Sequence, residues 1–243
     1  MTHPTSTISP RATPTSTAYR RVASASMAGA ALLAIAGFTA LGSVFDYPQI
    51  LKEPTDDILA LYREHSTAVS GWFLVLVVGA ALLAPAGYAL GRLVGGRLGR
   101  WITGVGIAAA IVQVVGLSRW VLFVPGLSED ATHPATAADA RETFETLHTW
   151  LGEALGETVG YALTATFTVL VLVALRRAGF SRWLLRLGYA AAFLIATGVV
   201  IPLGVEVAEL TNFAGYVAWS GWLLALSVVL WRSDIRWSRP DAA

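Results

Sequence analysis

Glu153 and Glu157 stand one helical turn apart at the head of "LGEALGETVGYALTATFTVLVLVAL" (residues 151–175), a stretch that then turns almost wholly apolar. Tyr161, Thr164 and Thr168 continue the series at separations of 4, 4, 3 and 4 residues, which puts all five side chains on one face of a helix. Carboxylates leading into a run of hydroxyls can hold a cation, pass a proton or bind a polar solute. Crowded carboxylates also repel, and a proton or a cation relieves that repulsion. An acid at the centre of a lipid-facing helix costs about 2.5–3.5 kcal/mol, so this face is expected to look inward. Two readings fit it. Either the stripe lines an outward-opening polar cavity, or the glutamates sit among lipid headgroups while the hydroxyls bond to their own helix.

A second acid pair, Glu206 and Glu209, follows Pro202 in "IPLGVEVAELTNFAGY", and Thr211 or Asn212 reads as the N-cap of the next helix. Arg119, in "LSRWVLF", is the one cation expected at comparable depth. A guanidinium forks well onto carboxylates, so a pocket in which Arg119 neutralises Glu153, Glu157 or Glu206 is one expectation. Snorkelling of Arg119 to the headgroups is the other. Gln113 is expected to make a helix–helix hydrogen bond.

Metal chemistry has thin support. His65, His133 and His148 share one side of the expected topology, with His3 in the amino-terminal tail. His65 and His148 are the weak metal candidates, but no HExxH spacing exists. On an α-helix His148 would lie roughly 140° around from Glu153. The chain has no Cys, which excludes disulfides, Zn–thiolate sites and thiol nucleophiles. No P-loop, GxSxG or dinucleotide fingerprint occurs, so no catalytic residue and no cofactor is assigned.

The elements that must position these residues follow from composition. Of 243 residues 55% are hydrophobic and 14% charged, against about 25% charged in soluble domains. Six runs are long and apolar enough to cross a bilayer: about 26–45, 71–91, 102–124, 154–175, 185–204 and 213–231. The fold class is therefore all-α, a polytopic membrane protein with six transmembrane helices. The first run exceeds a typical signal-peptide core and lacks a small-x-small cleavage site, so it is expected to remain as a span. Residues 1–21, rich in Thr, Ser and Pro, read as a disordered tail, 22–232 as the six-helix domain and 233–243 as a second tail.

Basic residues orient the bundle. With the amino terminus in the cytoplasm, 13 of 17 basic residues fall inside and 14 of 16 acids fall outside. This predicts a multi-pass inner-membrane protein with both termini cytoplasmic. Trp101, Trp183 and Trp231 are expected at the inner interface, and Tyr47, Trp72, Trp120, Phe123, Trp150 and Tyr216 at the outer one. Ala80, Ala84, Gly87 and Gly91 form a small-residue ridge, with a kink expected at Pro85.

Two outer connections exceed turns. In the first, Thr55 reads as an N-cap ahead of Asp56 and Asp57, opening a short interfacial helix near 56–66. The second begins as a loop, "GLSEDATHP", and continues as an amphipathic helix carrying Ala140, Phe144, Leu147 and Leu151.

Three segments together, "VFDYPQILKEP", "LGEALGETVGYALTATFTVLVLVAL" and "NFAGYVAWSGWLLALSVVLWR", resemble a bacterial six-span family, the domain of unknown function 4386, over most of residues 25–232. The resemblance implies the same six-helix fold and no known activity. It singles out Asp46, Tyr47, Pro48, Glu157, Gly160, Asn212 and Gly215 as family-pattern positions.

Three functions fit the sequence. The first is a non-enzymatic membrane protein whose outward acidic pocket binds or senses a small molecule, cation or lipid. The second is a small proton-coupled transporter using the Glu153/Glu157/Tyr161/Thr164 stripe, and the third a metal-dependent membrane hydrolase. The bilayer is the expected partner, and the arginines read as topological anchors, with no nucleic-acid binding.

Overall fold

The computed structural model describes residues 14–232, and every described element is helical or a turn. Six helical columns are long and apolar enough to cross a membrane: Ser16–Val44, Ser66–Val94, Gly96–Asp130, Ala137–Arg177, Arg182–Leu203 and Val207–Arg232. They comprise α1 (Pro14–Val44), α3 and α4 (Ser66–Ala81, Leu83–Val94), α5 and α6 (Gly96–Leu122, Val124–Asp130), α7, a π-helix and α8 (Ala137–Leu147, His148–Val159, Gly160–Arg177), α9 with a 3₁₀ turn (Arg182–Ala196, Thr197–Leu203), and α10 (Glu206–Arg232). The short α2 (Thr55–Glu64) bridges the first two columns.

Each column packs on its neighbour in the chain, and α10 closes back on α1, giving a ring in sequence order. The ring closes because glycines let backbones meet. A Cβ at Gly87 would lie 3.1 Å from the Gly106 Cα, and Gly91 and Gly99 leave no room for one at their crossing. The small-residue ridge of the second column is thus spent inside the molecule, against α5. The break between α3 and α4 falls at Leu82, three residues before Pro85, whose ring nitrogen cannot donate to the carbonyl one turn back. Gly95 and Gly96, with φ of 70° and 58°, form the tight turn into α5 that L-residues strain to adopt.

Four expectations change. Helix α1 begins at Pro14, within the stretch read as a tail; residues 1–13 and 233–243 lie outside the described residues. Residues 126–130 of the expected loop are helical, as part of α6. Thr55 does not cap α2 through its side chain; its hydroxyl instead donates to Glu145 Oε1 on α7 at 2.8 Å. Trp120 is not an interfacial anchor but fully buried.

The last change has a clear cause. The two long connections fold over the bundle end and build a second core there, from Phe45, Ile58, Leu59, Tyr62, Phe73, Trp120 and Phe144. Trp120 stacks on Phe73 at 4.9 Å between centroids with planes 7° apart. Polar ties fasten the rim of this cap: Arg141 Nε donates to Asp56 Oδ1 at 2.5 Å, and Arg63 to the Ser128 carbonyl at 2.7 Å. Trp101, Trp183 and Trp231, by contrast, are exposed at the opposite end, as belt residues should be.

Candidate functional site

The two glutamates that open the fourth column lie on a π-helix, His148–Val159. Such widened coils are rare and concentrate at functional sites. Its geometry follows from glycines at 152, 156 and 160, which turn bare backbone toward α5. A Cβ at Gly116 would lie 2.8 Å from the Gly156 Cα and 2.9 Å from the Leu151 carbonyl oxygen, so only glycine fits the crossing. Beside it, Arg119 fills the space over Gly152 and Gln113 the space over Gly160, each 2.7 Å from where a Cβ would stand. Gly116→Ala is therefore expected to cost about 2 kcal/mol through overpacking against rigid backbone. Gly104→Ala on the same helix, where a Cβ meets nothing within 4 Å, is expected to be neutral or stabilising by up to about 1 kcal/mol. Denaturant unfolding in micelles checks the pair, and equal effects would remove the crossing as the cause.

Arg119 is 4% exposed. Its Nη1 donates to the Gly116 carbonyl at 2.6 Å, and the guanidinium lies over the Trp120 ring at 5.3 Å. Of the expected salt bridges, those to Glu153 and Glu157 are not formed: among the described residues no carboxylate comes within ion-pair distance of Arg119, and its buried Nε has no hydrogen-bond partner. Glu153 and Glu157 act on it through space. Nor does it snorkel; the cap covers it.

Glu157 is half-buried, within electrostatic reach of Arg119, Glu153 and Glu209. Tyr47 reaches into the same group from the first connection. Burial pushes its phenol up to about 12, with Glu157 adding to the shift and Arg119 opposing it. A raised phenol loses stability only as pH climbs past its unfolded value near 10, so below that Tyr47 is a fixed neutral hydrogen-bonding group. Beneath lie Tyr161 and Tyr216, 5.7 Å apart, with Gln113 Nε2 donating to the Tyr216 hydroxyl at 3.4 Å. Gln113 thus makes the helix–helix bond its position suggested. The buried Thr164 hydroxyl lies beside the Tyr216 phenol. Thr168 bonds its own helix at the Thr164 carbonyl, 2.8 Å away, and accepts from Trp219 Nε1 at 2.9 Å.

The remaining sequence-chosen residues form a rim. Glu153 is half-exposed, and His148 Nε2 lies 3.6 Å from its Oε1. The expectation of roughly 140° between them fails because π-coiling closes i→i+5 hydrogen bonds and stacks residues five apart. Glu209 pairs with Lys52 of the first connection, not with Arg119. Lys52 is largely and Glu209 partly exposed, so Lys52→Ala is expected to change unfolding free energy by less than about 1 kcal/mol; a larger loss in chemical denaturation would make the pair structural. Asp46 is exposed, with φ of 49°, and its carbonyl accepts from the Ile50 amide at 3.0 Å, so it shapes the turn that carries Tyr47.

Asn212 is no N-cap. Helix α10 starts at Glu206, and the buried Asn212 Nδ2 donates to the Ile195 carbonyl at 2.8 Å, in the last turn of α9 where carbonyls lose helical partners. Thr211 likewise binds sideways, to the Thr197 hydroxyl at 2.7 Å. The Glu206 side chain lies outside what the structure describes. His65 is partly exposed, with its Nε2 3.9 Å from Glu64 Oε1. Among the described residues no three metal-ligating side chains converge.

Sequence reasoning placed Tyr216 and Tyr47 at the interface and gave Lys52 no role. The glycine series on the fourth column, spaced like the ridge on the second, was the unused signal for its contact with α5. Two clefts, of about 300 and 370 Å³, lie at the far end of the bundle between α1 and α10.

Neither the curated proteins nor the solved structures yielded a match to the chain. A family model does match, over residues 27–226, which reaches into all six columns and takes in every residue of the Arg119 cluster. The chain therefore belongs to the family described as domain of unknown function 4386.

Proposed function

We propose that this protein is a non-enzymatic membrane binding or sensing protein, and that its site is the Arg119 cluster beneath the cap. The observation that carries the reading is the guanidinium itself. It is nearly fully buried, and among the described residues its Nε has no hydrogen-bond partner and no carboxylate touches it. A buried charge without a contacting counter-ion costs several kcal/mol, and a ligand carboxylate or phosphate would offset that cost. Glu157, Tyr47, Tyr161 and Gln113 supply acceptors and donors for the rest of a small polar molecule.

Thermal unfolding in nanodiscs against small carboxylates, amino acids and inorganic phosphate tests this. One class is expected to stabilise the protein by about 2.7 kcal/mol at a hundredfold excess over its Kd. Arg119→Lys keeps the charge but removes the planar fork, and should abolish the shift. No response to any probe, or an equal response in the variant, would falsify the reading.

The transporter reading draws on the polar run from Glu157 through Tyr161 to Thr164. Against it, the column continues below Thr168 among Val171, Leu172, Leu175, Leu226 and Leu230, all buried and apolar. Proton-driven flux in liposomes that disappears in Glu157→Gln would select transport over binding.

The site faces outward and both termini are cytoplasmic in this proposal, because the arginines gather at the far end. Single cysteines at Ala135 and Ser181, both exposed, check it. Impermeant reagent added outside whole cells is expected to label position 135 and spare 181; the reverse pattern inverts the topology.

A further inference from the structure

The clefts at the far end have a different chemistry from the Arg119 cluster. The first, about 300 Å³, is lined by Thr17, Arg20, Arg21, Leu230 and Trp231. Arg20 is only 9% exposed, so it is a built part of the wall, and Arg21 lies over the Trp231 ring at 5.8 Å, held in place by it. The second cleft, about 370 Å³, shares Trp231 and continues down the groove between α1 and α10, past Ala25 and Ala28. Its floor is fastened by Ser24, whose hydroxyl donates to the Ser227 carbonyl at 2.7 Å.

Two guanidinium groups at the head of a groove, with a tryptophan at the junction and small apolar residues below, match the order of groups along a phospholipid: phosphate, glycerol ester, acyl chain. Guanidinium groups fork onto phosphate oxygens, tryptophan favours the ester level of a bilayer, and basic pockets between transmembrane helices take anionic head groups. Among the described residues the surrounding field has one sign. Ten arginines (20, 21, 92, 97, 100, 176, 177, 182, 186 and 232) belong to this end of the bundle, and every acid among the described residues belongs to the other. We propose that the α1–α10 cleft is a binding site for one anionic diacyl phospholipid, its phosphodiester on Arg20 and Arg21 and one acyl chain along the groove past Trp231.

Native mass spectrometry of the full chain, exchanged from mixed phosphatidylglycerol and phosphatidylcholine of identical chains, tests the site. One phosphatidylglycerol is expected to be retained at least tenfold over phosphatidylcholine. The double variant Arg20→Gln/Arg21→Gln should lose that preference at least tenfold, while Arg97→Gln/Arg100→Gln, which removes the same charge at the same end, keeps it. Should the double variant fail to fold, Arg21→Gln alone is expected to lower retention about threefold. Equal retention of both lipids, or equal loss in the two double variants, overturns the proposal in favour of diffuse surface charge. Displacement of the lipid by millimolar inorganic phosphate overturns it in favour of a soluble anion.

Discussion

Arg119→Met is expected to lower the unfolding free energy by about 3 kcal/mol, and Glu157→Gln added to it is expected to return a substantial part of that loss. Two effects compete when the guanidinium goes. Removing a buried charge relieves a desolvation cost, which favours the variant. Losing it also leaves Glu157 in the field of Glu153 and Glu209, of which only Glu209 has a cation, the rim residue Lys52, within ion-pair distance among the described residues. The second effect wins, because the carboxylates lose the cation they share, while the Gly116 carbonyl and the Trp120 ring already offset a part, though not the whole, of the guanidinium's desolvation. Breaking a buried charge set from one side costs about 3–5 kcal/mol, and the half-buried Glu157 puts this case at the lower end. A double-mutant cycle in denaturant measures the coupling, expected at about 1–3 kcal/mol. Additivity of the two single changes to within about 0.5 kcal/mol would show that the groups do not sense each other, and would remove Glu157 from the site.

Trp120→Ala is expected to cost about 3–5 kcal/mol, the range for emptying a large aromatic site in a packed core. Its ring meets Phe73 face to face, and Phe45 and Phe144 by their edges at 5.2 and 5.9 Å, so no single neighbour can collapse into the space. The same ring is the floor of Arg119, and its loss frees the guanidinium to move. Two readouts should therefore change together. Limited proteolysis is expected to open the connections at 53–66 and 125–137, and the ligand response assigned to Arg119 should disappear. Trp120→Phe is expected to cost less than about 1.5 kcal/mol, because the indole Nε1 has no hydrogen-bond partner to forfeit. Protection of both connections in Trp120→Ala would mean that the rim bonds of Arg141, Arg63 and Thr55 hold the cap without its aromatic core.

Several features were legible in the chain. Six apolar columns, the bridging helix near 56–66 and the amphipathic helix ahead of the fourth column all follow from runs and periodicities, which are local. So does the inward direction of the Glu157–Tyr161–Thr164 face, since lipid rejects such residues. The partners of each charge were not legible. Lys52 meets Glu209 across 157 residues of chain, and Tyr47 comes within electrostatic reach of Glu157 across 110, distances at which sequence spacing carries no information. The π-helix was hidden for a related reason. Helical periodicity assumes α-winding, and the departure from it is stabilised by glycine contacts with α5, a different column.

Composition and the hydrophobic runs determined by themselves that this protein is a six-column membrane bundle with charge segregated between its ends. They suffice because each span satisfies its own backbone hydrogen bonds and each end meets its own solvent, so both properties are settled residue by residue. Which of the charges would touch was decided only in the tertiary structure. There the long connections folded into a cap that buried Trp120 and Arg119 together, Gly116 and Gly156 brought two backbones into contact, and the acid stripe found its neighbours in electrostatic reach instead of in salt bridges. Packing decides such contacts, because the position of a buried charge depends on every surface that closes over it.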